Sequence, residues 1–132
     1  MRIEISSEPR LLSVLRGVVR WRAKESGLSE RDADSLVMAV DEAAANVIRH
    51  TYGGRKGARL ALDIRTYGDR IEFILEDWGP KVCSEQVRPR ALDDVRPGGL
   101  GTFFIKSFVD ETYYDDNFPE GNRLKMVKYI RR

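Results

Sequence analysis

The spacing of apolar residues predicts three elements in the first part of the chain. Apolar and polar residues alternate over 1–6, which predicts a short edge strand. Over 10–26 the apolar residues recur every three or four positions, which predicts an amphipathic helix. The same period runs from Ser29, which begins a capping motif with Asp32, to the Gly53-Gly54 pair, and predicts a second, longer helix.

The rest of the chain changes period. Alternation over 60–75, interrupted by the turn Tyr67-Gly68-Asp69-Arg70, predicts a β-hairpin. Residues 77–98 contain three prolines and show neither period, and in a compact domain such a stretch is more often a functional lid than a connector. A short helix and two closing strands are then predicted, over 100–109, 111–115 and 124–130.

These elements predict an α+β fold. Strands joined by hairpins, with the helices grouped in sequence, favour a two-layer sandwich over a parallel design. We expect a mostly antiparallel sheet of about five strands, covered on one face by about three helices. The length of 132 residues is that of one ordinary domain, which we assign to 1–132.

Composition excludes several classes of protein. The 23 basic and 21 acidic residues leave a net charge of +2, which gives no argument for nucleic-acid binding. No apolar run approaches the roughly 20 residues of a membrane span, and residues 1–10 lack the apolar segment of a signal peptide, so we expect a cytoplasmic protein without membrane contact. With one cysteine and one histidine, any metal must sit on oxygen ligands.

Three groups of residues could carry chemistry, and each has an ordinary structural explanation. Glu42, Asn46 and His50 follow one another at four-residue steps along one flank of the second helix, either as a simple polar flank or as a site in which the Asn46 carbonyl binds a metal. Asp77 and Gly79 end the strand 71–77, either as a plain turn or as a ligand-accepting carboxylate with a close backbone approach.

The third group is the glycine-rich stretch that precedes the short helix, Gly98-Gly99-Leu100-Gly101-Thr102. It is either a plain turn or a set of backbone amides facing a phosphate at a helix start. The stretch fits neither the P-loop pattern nor the dinucleotide fingerprint, because no lysine follows Gly101 and Phe104 occupies the last position of the fingerprint. No nucleophile elbow or Ser-His-Asp arrangement is present either.

The order of the three groups resembles the Bergerat nucleotide-binding fold of the gyrase, histidine kinase and MutL superfamily, also called GHKL. The short length, the leading strand and helix, and the closing strand that begins Gly121-Asn122-Arg123 resemble the RsbW-like anti-sigma-factor serine/threonine kinases. The likeness covers nearly the whole chain. One departure is Pro80, where many relatives have a second glycine.

The resemblance implies a role for each group. Glu42 would be the general base, Asn46 would coordinate Mg²⁺, and Asp77 would accept the adenine amino group of ATP, with Gly79 giving the base room. His50 lies in the same nucleotide-binding helix. The phosphates would be bound by Gly98, Gly99, Leu100, Gly101 and Thr102. Residues 81–97 would form the lid, and a cation near it would contact the γ-phosphate, with four candidates: Arg88, Arg90, Arg96 and Lys106.

The resemblance also implies partners: a sigma factor, which the protein would sequester, and a STAS-domain antagonist, which it would phosphorylate on serine or threonine. A homodimer is expected on the same ground. Two alternatives stay open, namely a switch module that binds ATP or ADP and a partner without catalysis, and a structural domain without a ligand.

Overall fold

The computed structural model describes residues 1–82 and 105–130. Its sheet has five strands in the order β1-β2-β3-β5-β4, and every neighbouring pair is antiparallel. The strand bounds are β1 Arg2–Ser6, β2 Arg59–Thr66, β3 Arg70–Asp77, β4 Glu111–Tyr114 and β5 Asn122–Tyr129. The central strand β3 therefore lies between β2 and β5, and its last residue is Asp77.

Two long helices form the second layer. Helix α1 spans Leu12–Glu25 after a 3₁₀ turn at Pro9–Leu11, and helix α2 spans Glu30–Asn46. The Ser29 side chain accepts a hydrogen bond of 3.1 Å from the backbone amide of Asp32, as the capping motif predicts. A π-helical turn, Val47–Thr51, extends α2, and residues 105–108 are also helical.

The core lies between the helices and one face of the sheet. Because side chains alternate across a strand, Leu60, Leu62 and Ile64 of β2 face the same side, and all three are fully buried in the main hydrophobic cluster. The helices contribute residues such as Leu15 and Leu36 to that cluster. The predicted α+β sandwich with a mostly antiparallel sheet is therefore confirmed.

The other face of the sheet carries paired charges. Glu72 and Glu76 of β3 are buried, which opposes their ionisation, but hydrogen bonds from cations hold the pKa of each below its ordinary value. These cations are Arg70 and Lys125 for Glu72, and Arg2 and Arg123 for Glu76. The pairs neutralise the buried carboxylates and tie β3 to both β1 and β5.

The helix and strand boundaries predicted from the sequence differ from those of the structure mainly in two places. β5 begins at Asn122 rather than at 124, and α2 ends in a π-helical turn in which the Tyr52 amide donates to the Val47 carbonyl at 2.8 Å. Of the predicted short helix 100–109, the first residues lie outside the described ranges, and 105–108 are helical. The hairpin turn over 67–70 is confirmed by the hydrogen bond from Tyr67 N to Arg70 O, 2.8 Å long.

Glycine is required at 121, where β5 approaches the end of β3. A Cβ atom there would lie 1.9 Å from the Asp77 carbonyl oxygen. We expect Gly121→Ala to lower the free energy of unfolding by about 1–3 kcal/mol, the usual cost of overpacking, as measured by urea denaturation. Gly68→Ala is the matched control, since nothing lies within 4 Å of its added Cβ. Equal stability of the two variants would contradict this crowding.

Candidate nucleotide-binding site

The Asp77 carboxylate is the buried polar group at the centre of the candidate site. Asp77 is 3% exposed, although it is an ionisable residue. Its Oδ1 atom accepts hydrogen bonds from the Gly79 amide at 3.0 Å and from Asn122 Nδ2 at 2.9 Å. The first of these bonds closes the turn that follows β3, and the second fixes the carboxylate against β5.

The surroundings of Asp77 oppose its negative charge overall. Burial raises the pKa of the Asp77 carboxyl, and the hydrogen bonds from Asn122 and Gly79 and the nearby charge of Lys81 offset only part of that rise. The same region affects Tyr114 of β4, whose pKa is raised to about 12 by burial and then by the charge of Asp77. A buried carboxylate with a perturbed pKa, at the end of a central strand, is typical of a functional site.

The end of the second helix contacts the turn that follows Asp77. The Tyr52 hydroxyl accepts a hydrogen bond of 2.8 Å from the Trp78 amide and donates one of 2.5 Å to the Arg59 carbonyl. Gly79 packs so closely against this helix end that a Cβ atom would lie 2.4 Å from Thr51 Cγ2. The end of the helix that carries Glu42, Asn46 and His50 therefore contacts the turn that holds Gly79.

Glu42 and Asn46 lie side by side on α2, as their four-residue spacing predicts. A single nitrogen, Arg49 Nη2, donates to Glu42 Oε1 at 3.0 Å and to Asn46 Oδ1 at 2.9 Å. The Glu42 side chain is 30% exposed and that of Arg49 is 54% exposed. Glu42 and Asn46 are thus partly exposed, and an exposed arginine side chain bridges them.

His50 follows Asn46 within the π-helical turn and is exposed. A π-helical turn holds more residues than an α-helical one, so the regular four-residue line from Glu42 does not continue unchanged to His50. No hydrogen bond joins His50 to Glu42, Asn46 or Asp77 within the described residues. Its expected part in nucleotide binding stays a prediction.

The glycine-rich group lies outside the described residues. This covers Gly98, Gly99, Leu100, Gly101 and Thr102, together with most of the predicted lid and its arginines. Only the first lid residues are described: the Lys81 ammonium donates to the Phe118 carbonyl, and the Val82 amide donates to Asn122 Oδ1 at 2.8 Å. Lys106, the described candidate cation, is exposed on the helical turn 105–108.

Three residues of the site have no role assigned by the sequence analysis: Arg49, Tyr52 and Asn122. Arg49 lies three residues after Asn46, a spacing that places it near both Asn46 and Glu42 on a helix. Tyr52 is an aromatic residue at a helix end, and such a residue is equally typical of the hydrophobic core. Only the pairing of β5 with β3 reveals that Asn122 belongs to this site, because Asn122 lies opposite Asp77 in that register.

Two further findings on the described residues concern metal-binding groups and helices that could span a membrane. Within 1–82 and 105–130, no three acidic, histidine or cysteine side chains are grouped so that they could hold a metal ion. In the same ranges, the longest helices are too short or too polar to span a bilayer.

Comparison with known proteins agrees with this architecture. Residues 5–128 match the histidine kinase-like ATPase domain family, and the chain therefore belongs to that family. Among curated proteins, it is 27% identical to a protein of Bacillus pumilus named serine-protein kinase RsbW, over 98% of this chain and 85% of that protein. A protein of the same name from Staphylococcus epidermidis is 29% identical over 100% of this chain and 86% of its own length. The resemblance to RsbW-like proteins is confirmed.

The Tyr52 hydroxyl should contribute measurably to stability, because it pairs two partly buried backbone groups, the Trp78 amide and the Arg59 carbonyl. We expect Tyr52→Phe to lower the free energy of unfolding by about 1–3 kcal/mol, measured by chemical denaturation. Tyr67→Phe, at a side chain that is 41% exposed, is the matched control and should change little. A Tyr52→Phe protein as stable as this control would mean that the hydroxyl does not hold the Trp78 turn.

Proposed function

We propose that this protein binds ATP at the junction of α2 and β3 and transfers its γ-phosphate to a serine or threonine of a protein partner. The observation that carries the proposal is the meeting of the α2 end with the turn that follows Asp77. The resemblance to the histidine kinase-like ATPases implies a nucleotide at these segments, and membership of that family supports this assignment.

Asp77 would recognise the adenine base. Both hydrogen bonds described above end on Oδ1, so Oδ2 would accept from the exocyclic amino group. Guanine carries a carbonyl oxygen in the corresponding position, and a carboxylate repels it. A buried acceptor left unpaired by the wrong base costs more free energy than an exposed one, and the burial of Asp77 therefore favours strong selectivity for adenine.

Asn46 would supply the protein oxygen for Mg²⁺. Magnesium keeps several waters and is usually bound through one or two protein oxygens together with substrate phosphates. The half-exposed carboxamide of Asn46 fits that pattern, and the described residues hold no larger group of ligands. When bound, the ion would supply neutralising charge for the phosphates, and the glycine-rich group 98–102 would supply backbone amides.

Glu42 would act as the general base. Its carboxylate would accept the proton of the partner's hydroxyl as that oxygen attacks the γ-phosphorus, and the bond to the β-phosphate oxygen would break to release ADP. Such transfer depends mainly on positioning and charge neutralisation. The Arg49 side chain must then move away from Glu42 Oε1, because that oxygen has to reach the partner's hydroxyl.

The partners are proposed from the names of the relatives. Proteins named serine-protein kinase RsbW align with 97% or more of this chain. We propose a sigma factor as the sequestered partner and a STAS-domain antagonist as the phosphorylated one, both met in the cytoplasm. A homodimer is part of the same proposal.

A second function is favoured by one contact. If Arg49 kept its hydrogen bonds to Glu42 and Asn46 in the nucleotide-bound state, the base would be blocked. The protein would then be a switch module that binds ATP or ADP and a partner without catalysis. Phosphate transfer to the antagonist separates the two functions, because a switch module would leave both ATP and partner unmodified after long incubation.

Nucleotide selectivity tests the role of Asp77. Thermal melting with ATP, ADP and GTP, each with and without Mg²⁺, should show stabilisation by the adenine nucleotides, enhanced by Mg²⁺ for ATP. Asp77→Asn should abolish this shift, because an amide nitrogen at the acceptor position would repel the adenine amino group. Asp116→Asn, in an exposed turn, is the control and should keep it. An undiminished shift with Asp77→Asn would refute the assignment.

Phosphate transfer tests the role of Glu42. With Mg-ATP and the antagonist, Glu42→Gln should reduce the transfer rate by a factor of about 100 to 10,000, the usual contribution of a general base. Nucleotide affinity should change little, since the amide keeps the size of the side chain. Glu25→Gln, exposed on α1, should transfer phosphate at the normal rate. Comparable transfer by both variants would show that another group takes the proton.

A further inference from the structure

Asn122 is an unusual asparagine for this chain. Of the three asparagines, Asn46 is half-buried and Asn117 is exposed, whereas Asn122 is only 4% exposed. It is the first residue of β5 and lies opposite Asp77 in the register with β3. Burying an amide side chain costs free energy unless its polar atoms are paired. The hydrogen bonds of Asn122 therefore indicate its role.

Both polar atoms of the Asn122 side chain are paired, and their partners are the last residue of β3 and two residues of the segment that follows it. The Nδ2 atom donates to Asp77 Oδ1 at 2.9 Å and to the Pro80 carbonyl at 2.9 Å. The Oδ1 atom accepts from the Val82 amide at 2.8 Å. One carboxamide therefore joins the proposed base-recognising carboxylate to the backbone of residues 80–82.

The position of this carboxamide is fixed by its neighbours. Gly121 brings β5 against the Asp77 carbonyl more closely than any side chain would allow. The Lys81 ammonium, which donates to the Phe118 carbonyl, holds the same turn from the β4–β5 side. The amide has little freedom to move away from Asp77, which is the condition for a hydrogen bond that orients a functional group.

We propose that Asn122 is a positioning residue for nucleotide recognition: its carboxamide orients the Asp77 carboxylate toward the base and couples that carboxylate to the backbone of residues 80–82. The inference rests on the proposed function, in which Asp77 accepts the adenine amino group. It adds that recognition depends on a side chain from another strand, one that need not touch the nucleotide.

The electrostatic consequence can be measured. The charged and titratable groups that influence Asp77 are Lys81 in the turn, Tyr52 at the helix end and Tyr114 on β4. The hydrogen bond from Asn122 favours the ionised carboxylate, against the effect of burial. Because only the ionised carboxylate accepts a hydrogen bond through both oxygens, adenine binding should weaken as the pH falls through the pKa of Asp77.

The test is the ATP affinity of the full chain across pH, by calorimetry, for Asn122→Ala and Asn122→Asp. Asn122→Asp keeps an acceptor for Val82 but replaces the donor with a like charge. Both variants should bind ATP about tenfold or more weakly at neutral pH, as expected for a lost hydrogen bond to a charged group. The acid limb of binding, that is, the low-pH range over which the ATP affinity falls, should also move to higher pH. The reason is that the Asp77 carboxylate loses a donor that stabilises its ionised form. Asn117→Ala is the matched control and should leave both quantities unchanged.

The outcomes separate the two proposals. If the native chain binds no adenine nucleotide, or Asp77→Asn binds as well as native, the proposed function fails. If Asp77→Asn abolishes binding but the Asn122 variants keep the native affinity or the native acid limb, only the positioning role fails. A purely structural role would weaken binding by one factor at every pH and leave the acid limb in place.

A measurement on the native chain covers the case in which the variants do not fold. The side-chain amide signals of Asn122 in a ¹⁵N NMR spectrum should titrate with the same midpoint as the acid limb of ATP binding, because Asp77 is their hydrogen-bond partner. The Asn117 signals should not follow that midpoint. Asn122 signals that stay constant through the acid limb would overturn the inference.

Discussion

The site depends on keeping one carboxylate charged in a place that opposes charge. Asp77 is buried at the end of the central strand, and burial raises the pKa of its carboxyl. Two hydrogen bonds to Asp77 Oδ1 oppose this effect. One comes from the Gly79 amide in the turn after β3, and the other from Asn122 of β5. Such a group is costly for folding and useful for recognition, since it discriminates strongly between a donor and an acceptor on a ligand.

The surrounding elements follow from this constraint. Gly121 lets β5 approach closely enough for Asn122 to reach Asp77, and Tyr52 holds the Trp78 amide from the helix end. The same helix carries Asn46 and Glu42, about two and about three turns before Tyr52. The segments proposed for base recognition and for phosphate chemistry are thereby joined through one continuous helix and one turn.

Local periodicity predicted most of the fold. The strands, the two long helices, the Ser29 cap and the hairpin turn all reflect interactions close in sequence. Residues of the candidate site could be proposed from the sequence only where a local pattern or a family resemblance pointed to them, as for Glu42, Asn46 and Asp77. The Asn122 bonds to Asp77 join residues 45 positions apart, and they depend on strand register. The π-helical turn was also hidden, since nothing in residues 47–51 distinguishes it from an ordinary helix end.

In the proposed complex, the α2 end and the Asp77 turn surround one adenine base. Isotope-edited NMR of the labelled chain with unlabelled Mg-ADP tests it most directly, through NOE contacts from the adenine H2 and H8 protons. We expect contacts to the turn at 77–79 and to the end of the α2 helix at 46–52. Adenine contacts confined to the charged face of the sheet, near Glu72 and Lys125, would contradict it.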